Sequence, residues 1–248
     1  MKVPLTVVIP TLDEAAQIAE TVAHLSWADE VIVADAGSRD DTVARARRAG
    51  ARVLERTGPT IAAQRNQAVA TARNRWIFAL DADERIPPAL AEELAAVIAA
   101  PAHPVYKVRR RNFYLGRELT RGHWGRDWVT RLHTRDRRWI ERRVHETLER
   151  VPDPGHLVNC LDHHPYRDLG HQLEKMGRYA RWGAEDLYEQ GRRATAWDLA
   201  VRPLGRFLKA YLLKGHCLDG RAGLVSSVLG AYTAFLKYAH LWALERKQ

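Results

Sequence analysis

The stretch that decides the fold is "RWIFALDADER", residues 75–85. Trp76 to Leu80 form a continuous apolar run with no polar alternation, the pattern of a strand buried on both faces. The run ends abruptly in Asp81, Ala82, Asp83 and Glu84, with Pro87 and Pro88 just beyond. Three acids in four positions, where a buried strand leaves the core, are either turn and helix-cap acids before the prolines or ligands that face one pocket.

Working outward, "TIAAQRNQAVATAR" before it and "PPALAEELAAVIAA" after it read as helices, the second with proline at its start. Further upstream, "LTVVIPT" is a buried strand stopped by Pro10, and "DEAAQIAETVAHL" is a helix with Ile18, Val22 and Leu25 on one side. "EVIVADAGS" is a second strand ending in a carboxylate and a Gly-Ser turn. "RDDTVARARRAG" is a helix capped by Asp40 or Asp41 and stopped by Gly50, and "ARVLERT" is a weaker third strand. This alternation predicts an α/β fold: a Rossmann-like, mostly parallel sheet flanked by helices, with right-handed crossovers. In such sheets ligands bind outside the carboxyl ends of the strands. Three strands end there in polar residues, at Thr11 to Glu14, Asp35 to Ser38 and Asp81 to Glu84.

After about residue 104 the pattern changes to shorter strands and loops rich in Arg and Trp. From Asp168 it turns helical, with Leu169, Leu173, Met176, Tyr179 and Ala180 expected on one face. Trp197, Val201, Leu204, Leu208 and Leu212 are expected on another. The expected division is an α/β domain over 1–166 and a helical, basic amphipathic extension over 167–248. The stretch "GLVSSVLGAYTAFLKYAHLWAL" approaches the roughly 20 apolar residues of a membrane span. Lys237 and His240 interrupt it, so it reads as peripheral.

With 248 residues, 46% of them hydrophobic, the chain has material for a sizeable core, which excludes disorder. Cys160 and Cys217 have no metal-ligand spacing and read as reduced, buried thiols of a cytosolic protein. "MKVPLTVVIP" lacks the layout of a signal peptide. The net charge of +9 is concentrated between Lys107 and Arg150, where 14 Lys and Arg face 6 Asp and Glu. Such a field favours an anionic partner: nucleic acid, a lipid surface or a phosphorylated substrate.

Asp81 and Asp83, one residue apart at a strand end, are hard oxygen ligands suited to Mg²⁺ or Mn²⁺, which take carboxylates together with substrate phosphates. No GxGxxG follows the first strand and no GxxxxGK[ST] occurs, which excludes a dinucleotide fingerprint and a P-loop. A metal-bridged diphosphate is the remaining way for this sheet to hold a nucleotide. His145-Glu146 is not a zinc-protease motif, because position 149 is Glu149 rather than histidine.

"VVIPTLDEAAQI", "VIVADAGSRDDT", "AAQRNQA" and "FALDADE", in this order and spacing, resemble the nucleotide-binding half of glycosyltransferase family 2, the GT-A fold. "GHWGRDWVTRLH", "RRVHETL", "LDHHPYRDLGHQLEKMGRYA" and "KAYLLKGHCLDGRAGL" extend the resemblance to bacterial lipopolysaccharide core β-1,4-glucosyltransferases. The resemblance implies that Pro10, Thr11, Asp13, Glu14 and Gly37 shape the nucleotide site and that Asp35 meets the uracil ring. It places Arg65 near the diphosphate, Asp81 at the ribose and metal, and Asp83 and His163 on the metal. Glu146 falls where the catalytic base belongs. The "GHWG" loop, with Gly122 and Trp124, and His145 would meet donor sugar or acceptor. The implied reaction is inverting: an acceptor hydroxyl attacks the anomeric carbon as a nucleoside diphosphate leaves, and a carboxylate takes the proton.

The expected donor is a UDP-sugar, with UDP-glucose first, and the expected cofactor is Mn²⁺ or Mg²⁺. The expected acceptor is a phosphorylated glycolipid or oligosaccharide. "TAWDLAVRPLGRFLKAYLLKG" carries Arg202, Arg206, Lys209 and Lys214 beside an apolar face, which suits an anionic membrane surface. That places the protein peripherally on the inner face of the bacterial cytoplasmic membrane. Transfer onto polyprenyl phosphate is the alternative within the fold. A nucleic-acid-binding protein is the alternative outside it, and it leaves the acids at three strand ends unexplained.

Overall fold

The computed structural model describes residues 2–140 and 146–246. The chain divides into two compact units, one of residues 1–110 and 127–163, the other of 111–126 and 164–248. The sequence pattern alone grouped 111–126 with the sheet.

The first unit is α/β. Strands β1 (Val3–Thr11), β2 (Ala28–Asp35), β3 (Arg52–Leu54) and β4 (Trp76–Ala79) lie side by side in the order β3-β2-β1-β4, all parallel. Helices α1 (Ile18–Ala23), α2 (Thr42–Arg48) and α3 (Ile61–Thr71) connect them. β5 (Glu84–Arg85) and α4 (Pro88–Ala99) follow, then β6 (Val105–Tyr114). β7 (Arg117–Leu119) and the four-residue α5 (Gly122–Gly125) belong to the second unit. The first unit resumes with β8 (Asp127–Thr134), the small hairpin of β9 (Trp139–Ile140) and β10 (Thr147–Leu148), and β11 (Gly155–His163). Beyond β4 the sheet continues β8-β6-β11-β5, with β8 antiparallel to β4 and β6, and β5 antiparallel to β11.

The reason β1 is apolar at Leu5, Val7, Val8 and Ile9, on both of its faces, is visible in its packing. Leu5, Val7 and Ile9 join one core cluster with Ile18, Val22, Phe78 and Leu94, while Val8 joins a second with Ile32, Val69 and Ile77. A strand covered on both faces is apolar at successive positions. Pro10 lies beyond the part of β1 that pairs with β4, so its missing N–H breaks no rung on that side.

Three expectations change. α1 begins only at Ile18, because Asp13 sits in the left-handed region (φ 58°) and the backbone N–H groups of Asp13, Glu14 and Ala15 donate to Ser38, Thr42 and Asp40. The strands after residue 104 are not short: β6 has 10 residues and β11 has 9. The solvent-facing Arg109 and Arg111 of β6 dilute its apolar signal, and β11 carries His156, Asn159, Asp162 and His163 among its apolar positions. Cys160 and Cys217 are free thiols as expected, but Cys217 is exposed and Cys160 half-buried.

The second unit is helical: α6 (Leu169–Glu189), α7 (Ala196–Leu208) and α8 (Gly220–Glu245), with α6 and α7 both packed on α8. The buried stripe of α6 is Gln172, Met176, Ala180 and Ala184, so Leu169, Leu173 and Tyr179 of the expected face are exposed. Among the described residues no helix is long and apolar enough to cross a membrane.

Candidate active site

The three acids at the end of β4 go three different ways. Asp81 places Oδ1 2.6 Å from Nη2 of Arg65 and Oδ2 against Nη2 of Arg131. Asp83 turns to His163, with Oδ2 3.7 Å from Nε2. Glu84 points into the core, with no exposed surface; it accepts from Arg131 at 2.6 Å and from the backbone N–H of Asp81 at 2.9 Å. Arg110 lies 3.4 Å from the same Glu84 oxygen and holds Asp127 at 2.7 Å. The short pairing of β5 with β11 sets His163 opposite Glu84, which carries the imidazole to the Asp-Ala-Asp turn.

Arg65, fully buried on α3, links this turn to the candidate base. Its Nη1 lies 2.9 Å from Oε1 of Glu146, while Nη2 holds Asp81. Glu146 immediately precedes β10. The hairpin that carries it is clamped to α3 by Asn66, which donates to the Trp139 carbonyl and accepts from its N–H, both at 2.9 Å. The guanidinium of Arg65 also lies over the Trp139 ring, 4.3 Å from its centroid. Beneath it, Trp139 Nε1–H donates to Nε2 of His133 at 3.2 Å. An indole nitrogen only donates, so the His133 proton sits on Nδ1, which faces the Thr134 carbonyl at 3.0 Å.

Burial sets the electrostatics, and the arginines answer it. For Asp81, desolvation pushes the carboxyl up, but Arg131 and Arg65 outweigh it and hold the group below the usual range. For Glu84, desolvation wins over Arg131 and the carboxyl is raised. Burial lowers Arg65 despite Asp81, whereas the two acids beside Arg131 raise its guanidinium.

Burial pushes His133 down to about 4, so it is neutral in the folded protein. An unfolded imidazole near 6.5 binds a proton that the folded one refuses. Stability contributed by this site is complete above pH ~6.5 and falls as pH drops toward ~4, by about 3 kcal/mol in all. Urea unfolding at pH 7 and pH 4.5 checks this. His133→Gln, which can still accept from Trp139, should lose markedly less stability between the two pH values than the wild type.

Five carboxylates (Asp81, Asp83, Glu84, Asp127 and Glu146) meet three guanidiniums (Arg65, Arg110 and Arg131), a formal excess of two negative charges among the described residues. A divalent cation fits that excess. Among the described residues no group of three or more His, Cys, Asp and Glu could hold a metal ion by itself. Asp83 and His163 supply one hard oxygen and one imidazole, a partial set of the kind completed by substrate phosphates and water. Asp81, expected as a further ligand, has each oxygen on an arginine and serves here to hold both guanidiniums. The Nε–H groups of Arg65 and Arg131 are buried with no acceptor among the described residues.

The strand-end loops of β1 and β2 are laced together. Asp35 Oδ2 accepts from the N–H groups of Gly37 and Ser38, each at 2.8 Å, and Oδ1 accepts from Thr11 at 3.2 Å. Its carboxylate therefore organises its own loop, and Gly37 at φ 102° makes a turn that a Cβ would strain. Asp13 Oδ1 accepts from the Arg39 N–H at 2.8 Å, and Glu14 accepts from Gln17 at 2.7 Å. Aspartate tolerates the left-handed conformation of Asp13 better than most residues.

Gly122 and Trp124 belong to the second unit. "GHWG" is a helical turn rather than an open loop, and Asn112 Nδ2 donates to the Trp124 carbonyl at 2.8 Å. A Cβ on Gly122 would lie 2.6 Å from Nε2 of His216, and its φ is 61°, so only glycine fits there. His145 lies outside the described residues. Sequence reading missed Arg131, Arg110, Asp127, His133 and Trp139. An arginine and a histidine in the "VTRLH" strand, where apolar residues were due, were the available signal.

The chain is similar to several known proteins. A Rhizobium meliloti protein named lipopolysaccharide core biosynthesis glycosyltransferase LpsC is 29% identical over 97% of this chain and 93% of its own. An uncharacterized glycosyltransferase of Rickettsia prowazekii is 28% identical over 96% of this chain and 87% of its own. Among solved structures, glucosyl-3-phosphoglycerate synthase from Mycobacterium tuberculosis, in complex with Mn²⁺, UDP-glucose and phosphoglyceric acid, is 27% identical. That likeness covers 44% of this chain and 43% of that one, with a TM-score of 0.38. The sequence model of "Glycosyl transferase family 2" matches residues 6–197, and the chain is thereby a member of that family, a glycosyltransferase.

Proposed function

We propose that this enzyme is an inverting, metal-dependent hexosyltransferase. It moves glucose from UDP-glucose onto a lipopolysaccharide inner-core or related phosphorylated glycolipid. The observation that carries the reading is the bridge through Arg65: one guanidinium ties Asp81, beside the Asp83–His163 pair, to Glu146. That bridge supports a reading in which the leaving diphosphate lies next to a carboxylate that can take a proton.

Thr11, Asp13, Glu14 and Gly37 frame the nucleoside, and Arg65 faces the diphosphate. Asp83 and His163 hold the Mn²⁺ or Mg²⁺. The metal, when bound, neutralises charge growing on the leaving group. Glu146 accepts the proton of the acceptor hydroxyl as that oxygen attacks the anomeric carbon. The name of the Rhizobium relative supports the glycolipid acceptor. Such an acceptor places the enzyme peripherally at the inner face of the bacterial cytoplasmic membrane. A nucleic-acid-binding role leaves the ion-paired acids at the end of β4 unexplained, and Arg131 and Arg110 of the basic stretch are paired with those and neighbouring acids.

Donor hydrolysis across a panel of nucleotide sugars, with and without Mn²⁺, tests the reading. Metal-dependent hydrolysis of UDP-glucose in preference to other donors is expected. Preference for another nucleotide, or indifference to metal, would overturn it.

A further inference from the structure

Helix α7 carries an apolar stripe that the protein does not cover. Thr195 and Asp198 form a reciprocal capping box at its start, and the helix continues as a π-helical turn over Lys209–Leu213. Trp197, Val201, Leu204, Leu208 and Leu212 recur at spacings of four, three, four and four, which places them on one face. A helix in a globular domain turns such a face inward. Here Asp198 is the one buried residue of α7, while Trp197 is 65% exposed, Leu204 58% and Leu212 56%. The following turn adds Leu213 at 83% and Leu218 at 69%. Beside the stripe, Pro203, Leu204, Phe207, Val228, Tyr232 and Phe235 line an open groove of about 500 Å³ between α7 and α8. Scattered exposed leucines need no explanation, but a contiguous set does.

Charge identifies what covers this face. From Arg192 to Arg221 the chain has seven Lys and Arg and two Asp. Both aspartates are buried: Asp198 is held by Arg202 and Thr195, and Asp219 accepts from Thr120. The charge this segment presents outward is therefore cationic. A second copy would bring like charges together. An anionic lipid surface would instead neutralise them and offer hydrocarbon to the stripe.

We propose that this face of α7 and the turns after it dock on an anionic bilayer. Trp197, Leu204, Leu208, Leu212 and Leu213 sit at the acyl boundary, and Lys209 and Lys214 reach headgroup phosphates along their apolar stems. This deepens the glycolipid reading above and rests on it only for why such an enzyme would meet a bilayer.

The test is flotation of the full chain with vesicles of phosphatidylethanolamine and phosphatidylglycerol, compared with phosphatidylcholine alone. The expected result is binding to the anionic vesicles that weakens with salt. It should drop more than about tenfold in Leu204→Asp/Leu212→Asp and in Lys209→Glu/Lys214→Glu. A blue shift of tryptophan emission on binding should shrink in Trp197→Phe. Circular dichroism and UDP affinity are measured on the same variants, so a failed glycosyltransferase reading and a failed lipid surface give different results. Three outcomes overturn the proposal: no flotation, equal flotation on phosphatidylcholine, or flotation unchanged in the folded aspartate variant. A dimer in light scattering that Leu204→Asp/Leu212→Asp dissolves would also overturn it, by assigning the face to a second copy.

Discussion

Replacing Glu146 with Gln lowers kcat for sugar transfer about a thousandfold, close to 4 kcal/mol of barrier, and leaves UDP affinity within about twofold. The two halves of this expectation come from different atoms. The substituted side chain keeps an amide oxygen where Oε1 of Glu146 accepts from Arg65 at 2.9 Å, so the guanidinium stays in place for Asp81. The amide cannot accept a proton from an attacking hydroxyl, and the chemical step loses its base. Glu146→Ala makes the contrast. Without an acceptor at position 146, Arg65 keeps Asp81 but loses its ion-pair partner on the hairpin, and UDP affinity should shift as well. Calorimetry with UDP and initial rates with saturating donor separate the two effects. A Glu146→Gln enzyme within tenfold of wild-type kcat would remove Glu146 from the reaction. If that enzyme no longer binds UDP, Glu146 is part of the nucleotide site instead.

The parallel half of the sheet was legible because its signals are local. β4 reads as a buried strand from five consecutive apolar positions, Trp76 to Leu80, and β1 from the β-branched run Val7 to Ile9; both are packed on two faces. Gly37 stands where left-handed backbone is needed, in the Gly-Ser turn that the sequence announces, whereas the left-handed Asp13 went unread and the helix was started too early. What escaped depends on pairing across long separations. Arg131 reaches Asp81 only because β8 lies antiparallel to β4, with Phe78 opposite Leu132, 54 positions apart in the chain. Nothing near "DADE" tells which of its acids turns inward. Glu84 does so because β5 pairs with β11 and Arg131 waits in the core. The face of α6 was misread for a different reason. Ala180 and Ala184 are small, and where helices approach on alanines the larger Leu169 and Leu173 are left outside, so apolar volume pointed to the wrong stripe.

Asp83→Asn abolishes the metal-dependent part of UDP binding, an expected loss of about a hundredfold, ~2.7 kcal/mol, when Mn²⁺ is present and almost none when it is absent. The argument is one of ligand supply. Asp81 has committed both oxygens to arginines, and Glu84 is buried against Arg131. Of the three acids at the turn, Asp83 is the one whose carboxylate turns to an imidazole. An amide at 83 removes the anionic oxygen and leaves His163, a neutral ligand that holds Mn²⁺ weakly without it. His163→Ala should therefore cost less, about tenfold, because the carboxylate and the diphosphate oxygens remain. Asp81→Asn separates position from charge. It should weaken folding more than metal binding, since it leaves Arg65 and Arg131 buried with one anionic partner fewer. Titrating Mn²⁺ into each variant with UDP present ranks the three. If Asp83→Asn keeps its metal dependence while Asp81→Asn loses it, the ion belongs to Asp81, and the arginines must release that carboxylate when donor binds.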